Sequence, residues 1–137
     1  MLLSLCLWLS LVTAARCQAI DSLLDSYNNR VPQEKVHIHF DNSVYSSGET
    51  IWYKAYLLNG IDPSDLSKNF YIDWFDTNGK LLERTIVPII GSCASGNFTI
   101  PPKFTGNQLQ VMAYTRWMLN FDSAFLFHKI IPRHRIR

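Results

Sequence analysis

Between Glu34 and Pro132, short runs of β-branched and aromatic residues recur, each closed by a cluster of Gly, Asn, Asp, Ser or Pro. That rhythm predicts an all-β chain folded as an antiparallel sandwich. Over Lys35–Phe40, Val36, Ile38 and Phe40 alternate with His37 and His39, as in a strand buried on one face. Over Thr50–Leu58, Ile51, Tyr53, Ala55 and Leu57 oppose Trp52, Lys54 and Tyr56. Further strands are expected at Phe70–Phe75, Lys80–Ile89, Asn97–Ile100, Gln108–Met118 and Ala124–Ile131, making seven. Asn59–Ser67 and Gly91–Gly96 read as loops, and Asn78-Gly79 accepts the positive φ angles of a tight hairpin turn.

The pattern changes ahead of this region. Ile20, Leu23, Leu24 and Tyr27 fall at i, i+3, i+4 and i+7, with Asp21 and Ser22 near the start as caps, so one short amphipathic helix is expected. Pro32 and the paired Asn28-Asn29 stop it. Residues 1–19 read as a secretory signal: Met1–Ala15 is apolar, too short to span a bilayer comfortably, and runs into small residues. Arg16 interrupts the small-residue site, and no Lys or Arg precedes the apolar run. Two routes stay open, cleavage after Cys17 or Ala19, and acylation of Cys17 as a lipid anchor. The expected layout is therefore signal peptide 1–19, helix and linker 20–33, sandwich 34–132 and basic tail 133–137.

Composition narrows the class. Without its leader the chain keeps roughly a hundred residues, enough for one domain and too few for two cores. Apolar residues make up 47%, which fills a sandwich interior without staples or metals. The formal charge of +2 includes Arg16, Arg133, Arg135 and Arg137, and it turns negative once those four are set aside. Nucleic acid is thus not an expected partner. Cys93 alone belongs with certainty to the folded part, so no internal disulfide framework exists, and its neighbours Gly91–Gly96 hold no base to activate a thiol.

Candidate chemistry is sparse. His37 and His39 point to one side of their strand, Asp41 continues that row, and His128 would add a ligand if its strand were adjacent. Two such neighbours are about 7 Å apart, and the side opposite an apolar stripe is where polar residues belong in any case. No Asp or Glu is paired for acid–base work, so no catalytic residue and no cofactor is expected. Large inward side chains must fill the gap of about 10 Å between two sheets; Trp52 or Tyr53, Trp74 or Phe75, and Trp117 are the candidates. The same aromatics carry a second reading. Trp52, Tyr56, Trp74 and Tyr114, with Tyr53 beside them, would form a glycan or partner surface if exposed.

A family resemblance rests on an ordered series of motifs. Glu34–Asp41 followed by Tyr45–Tyr56, and later Ser95–Pro101, Ala113–Phe121 and Phe127–Lys129, resemble a macroglobulin-type domain of the alpha-2-macroglobulin superfamily. The second half is similar to the branch found in large exported proteins of Bacteroidota-type organisms. The resemblance implies a seven-stranded sandwich, of immunoglobulin or fibronectin-III-like kind, with a structural or interaction role in the cell envelope. Its implied location is the periplasm or the outer membrane. Its implied partners are neighbouring domains of a larger protein or another envelope protein, with membrane contact only through a lipid at Cys17. Where the family usually reads Asp-Lys-Pro, this chain has Asp41-Asn42-Ser43, a looser polar turn. Family members usually run to several hundred residues, so this chain reads as a truncated or single-domain member. No Cys-Gly-Glu-Gln thioester stretch occurs.

Overall fold

A computed structural model describes residues 31–134 together with Ser22, Leu23 and Ser26. The chain divides into Met1–Gln33 and Glu34–Arg137. In the first unit Ser22, Leu23 and Ser26 are helical and exposed; the rest of the expected helix and the expected signal peptide lie outside the described residues, as does the basic tail beyond His134.

In the second unit eight strands form two antiparallel sheets: β1 (Glu34–Phe40), β2 (Thr50–Asn59), β3 (Asp62–Pro63), β4 (Asn69–Phe75), β5 (Leu81–Pro88), β6 (Cys93–Thr99), β7 (Gln108–Thr115) and β8 (Phe127–Pro132). One sheet has β2 at its centre, with β1 along one edge and, on different stretches of the other edge, β6 and the two-residue β3. The second runs β5-β4-β7-β8. At one corner the sheets are joined by a bridge between Tyr45 and Arg133.

Alternation decides which side chains enter the space between the sheets. From β1 and β2 come Ile38, Phe40, Ile51, Tyr53 and Ala55; from β4, Phe70, Ile72 and Trp74; from β6 and β7, Ala94, Phe98, Leu109, Val111 and Ala113. Trp74 is the largest fully buried side chain. Its ring stacks on Phe98 of the opposite sheet at 4.5 Å and 9°, meets Phe40 edge-on at 6.4 Å, and lies 6.0 Å from Tyr53. The open choices at the centre are thereby settled: Tyr53 and Trp74 enter the core, Trp52 faces out, and Phe75 and Trp117 are half-buried.

Eight strands stand where seven were expected, because Asp62–Pro63 of the expected Asn59–Ser67 loop folds back on the end of β2, and three strand boundaries differ for local reasons. β6 starts at Cys93, within the expected Gly91–Gly96 loop. Gly91 and Ser92 take φ of 56° and 61°, and Ile90 and Cys93 exchange backbone hydrogen bonds of 2.8 and 3.1 Å, so two residues make the whole turn. β7 ends at Thr115 rather than Met118, because its Oγ1 accepts the Met118 N–H and starts a turn. β8 starts at Phe127, because Asp122 caps a short 3₁₀ turn over Ser123–Phe125. At Asn78-Gly79 only Gly79 has positive φ (80°); Asp76 Oδ1 accepts the N–H groups of Asn78 and Lys80, giving a longer side-chain-capped turn.

Gly96 has a packing reason to be glycine. It pairs directly with Tyr53 across β2 and β6, and a Cβ there would collide with the tyrosine hydroxyl and stand 2.8 Å from its Cζ. The Tyr53 hydroxyl and the Trp74 indole N–H are buried without a hydrogen-bond partner among the described residues. Burial, with the Glu83 carboxylate adding to it, pushes the Tyr53 hydroxyl up to about 12. Tyr45 and Tyr114 are raised too, each first by burial and then by a neighbouring carboxylate, Asp41 and Asp73 respectively.

Two predictions follow from this core. Gly96→Ala should cost about 2 kcal/mol through overpacking, whereas Tyr53→Phe, which deletes a buried unpaired hydroxyl, should be neutral or stabilising; urea unfolding measures both. The raised tyrosines also set a pH dependence. The unfolded chain loses these protons near pH 10 and the folded chain only later, so their stabilisation is complete below pH 10 and disappears as pH rises through about 12. Unfolding midpoints recorded from pH 7 to 11.5 should fall above pH 10, less steeply in Tyr53→Phe.

Candidate functional site

The outer face of the sheet centred on β2 gathers most of the residues singled out from sequence. β2 presents Trp52, Lys54 and Tyr56 outward; β1 places His37 opposite Tyr56 and His39 opposite Lys54; β6 places Asn97 opposite Trp52, Ser95 opposite Lys54 and Cys93 opposite Tyr56. Trp52 is 57% exposed and Tyr56 37%. The Lys54 ammonium lies 5.3 Å from the centre of the Tyr56 ring.

Asp41 does not complete a metal row with the two histidines. Its Oδ1 accepts the Tyr45 hydroxyl at 2.6 Å and the Trp52 N–H at 2.9 Å, locking the turn between β1 and β2. Burial pulls its pKa up, but these hydrogen bonds outweigh that and hold it below the usual carboxylate value. His128 lies on β8 in the other sheet, opposite Met112. Among the described residues, no three His, Cys, Asp or Glu side chains come together to hold a metal ion.

Two of the four aromatics expected at a ligand surface are corrected. Trp74 is fully buried between the sheets, because its position on β4 is the inward one, and Tyr114 is 7% exposed. Tyr114 does belong to the outer face of the β5-β4-β7-β8 sheet, but it is covered there. Its ring stacks on Tyr71 at 5.4 Å and 6°, and the Arg116 guanidinium lies 5.9 Å from the centre of the Tyr71 ring.

Next to that stack sits a buried carboxylate that sequence reasoning left unpaired. Asp73 accepts Arg84 Nε at 2.6 Å and Nη2 at 2.7 Å in a two-pronged ion pair, and the Tyr114 hydroxyl lies 3.4 Å away. The hydrogen bonds and charge of Asp73 raise the Arg84 pKa. A signal for this pair was available: a hairpin centred between Asn78 and Gly79 sets equidistant residues opposite one another, and Asp73 and Arg84 are such a pair.

Glu34 is a second buried carboxylate outside the sequence expectations. It accepts the hydroxyls of Ser64 at 2.6 Å, Ser67 at 2.5 Å and Thr115 at 2.5 Å, tying β1 to β7 and to the loop after β3. No period or motif marks it, since its partners are 30, 33 and 81 residues away.

The two ends of the sandwich differ in character. At the end where β1 starts, the connecting loops carry Ile61, 93% exposed, and Ile90, 77% exposed, with Leu66, Leu119 and Phe125 also exposed. At the other end, the turn after β4 and the loop after β6 enclose an open cleft of about 530 Å³, lined by Asp76, Thr77, Leu82, Lys103, Phe104 and Asn107 among others. Arg133 closes the neighbouring wall, donating to the Ser47 hydroxyl and to the carbonyls of Thr105 and Gly106. Its donors are largely committed to these loops.

No family model matches the sequence, and no curated protein does. Solved structures do match. The native conformation of Escherichia coli alpha-2-macroglobulin superposes with a TM-score of 0.64 at 10% identity over 76% of this chain. Salmonella alpha-2-macroglobulin reacted with methylamine gives 0.65, 10% and 77%, and the Escherichia coli protein activated by porcine elastase gives 0.62, 10% and 74%. The fold is that of a macroglobulin-type domain of bacterial alpha-2-macroglobulins. The chain spans only 6%, 6% and 8% of the length of those three proteins.

Within this sandwich the ion pair is the sharpest electrostatic feature. Arg84→Leu leaves the Asp73 carboxylate buried without its cation and should lower the unfolding midpoint clearly. Adding Asp73→Leu to it removes the stranded charge and should recover much of the loss. A double-mutant cycle by thermal unfolding reads the coupling.

Proposed function

We propose that the chain is a non-enzymatic interaction module of the bacterial cell envelope, a macroglobulin-like sandwich that belongs to, or is cut from, a larger multidomain exported protein. The observation that carries this reading is the superposition on a single-domain share of much longer alpha-2-macroglobulin chains. Such a domain acts by position, holding its neighbours through loops and sheet edges.

The apolar loop end gives that role a surface. Ile61 and Ile90 are largely exposed, and with the exposed Leu66, Leu119 and Phe125 they put apolar side chains on the loop tips of one end, suited to a neighbouring domain. The leader at residues 1–19 supports export, and Cys17 is where a lipid anchor would attach.

The test places a photo-crosslinking amino acid at Ile61 or at Ile90 in cells producing the full-length chain, with Thr50 as a control outside the cluster. A discrete adduct from both loop positions and none from Thr50, in the envelope fraction, is expected. Cytoplasmic product, or adducts no more frequent at the loop tips than at Thr50, would overturn the reading.

A further inference from the structure

The outer face of the sheet centred on β2 has a chemistry unlike the rest of the surface. Trp52 and Tyr56 stand on the same side of β2, four residues apart, which seats their rings about 13 Å from one another along the strand. Single exposed aromatics are ordinary. What sets this pair apart is its surroundings.

None of the outward positions of β1, β2 and β6 is an acid. They supply Lys35, His37 and His39 from β1, Lys54 between the two rings on β2, and Ser95 and Asn97 on β6. Asp41, at the edge of this face, has its Oδ1 tied into the turn by Tyr45 and Trp52. The face therefore offers two ring surfaces, neutral donors and acceptors, and uncompensated ammonium groups.

These features select among partners. A protein interface needs a contiguous desolvated apolar centre, and here the two rings are separated by a lysine. Single-stranded nucleic acid also stacks on aromatics, but its affinity comes from neutralising many phosphates, typically 6–10 for a tight binder, against two lysines on this face. A polymer of sugar rings with one carboxylate per unit fits better. The flat C–H faces of its rings suit the aromatic surfaces, its hydroxyls suit Ser95 and Asn97, and its carboxylates match Lys35 and Lys54.

We propose that this face binds an acidic polysaccharide of uronate type, with Trp52 and Tyr56 stacking on sugar rings and Lys35 and Lys54 pairing with the carboxylates. This site is separate from the apolar loop tips assigned to neighbouring domains. Both surfaces can be occupied together.

The experiment is affinity electrophoresis of the full-length chain in gels containing polygalacturonate, dextran or no polymer, with oligo-dT binding measured in parallel. Polygalacturonate should retard the chain and dextran should not, with retardation weakening as salt is raised from 20 to 200 mM. Trp52→Ala combined with Tyr56→Ala should weaken binding at least about tenfold, and Lys54→Gln alone a few-fold; unfolding midpoints of both variants should stay at the wild-type value. Intrinsic fluorescence of the wild type, titrated with polygalacturonate, should change and saturate, because Trp52 is the most exposed tryptophan described. Absence of retardation, equal retardation by dextran, tighter binding of oligo-dT, or a folded double variant that binds as well as wild type would overturn the proposal.

Discussion

The stack of Trp74 on Phe98 across the two sheets is the contact around which the rest is arranged. It sets two large rings face to face at 4.5 Å, with Phe40 and Tyr53 closing around them. Sheets about 10 Å apart leave room for such rings only where a partner gives way. Within one sheet the same crowding is relieved at Gly96, whose missing side chain lets the ring of its cross-strand neighbour Tyr53 lie over it. Two polar atoms, the Tyr53 hydroxyl and the Trp74 N–H, are left unbonded inside among the described residues, so aromatic packing outweighs their desolvation.

Around this apolar centre the buried charges are handled in two ways. Asp73 keeps a cation, Arg84, whose fork fits both carboxylate oxygens. Glu34 has three hydroxyl donors, which join the start of β1 to the end of β7 and to the loop after β3. Each carboxylate fastens elements that the apolar core alone would leave free to slide, β4 on β5 in one case and the two sheets in the other. The Asp41–Tyr45–Trp52 turn does comparable work at the opposite end of β1.

Because the core and its polar clasps consume the inward residues, the exterior carries whatever recognition the domain performs. Its surfaces divide cleanly. One end is apolar loop tips, one sheet face is aromatic and basic, and the other sheet face carries the Tyr71–Tyr114 stack and Arg84 beside the exposed Ile86 and Ile130.

The sequence by itself determined where the seven longer strands lie to within a few residues, and the two-residue alternation along each. These depend on near neighbours and survive any tertiary arrangement. It also showed that Trp52 and Tyr56 share one face and Tyr53 the other. Only the tertiary structure decided that the Trp74 side of β4 met the opposite sheet, that Tyr114 was covered, that Asp41 was spent on Tyr45 and Trp52, and that Glu34 was buried. Burial is a property of what lies across the gap, and those partners stand tens of residues away, at separations no local pattern encodes.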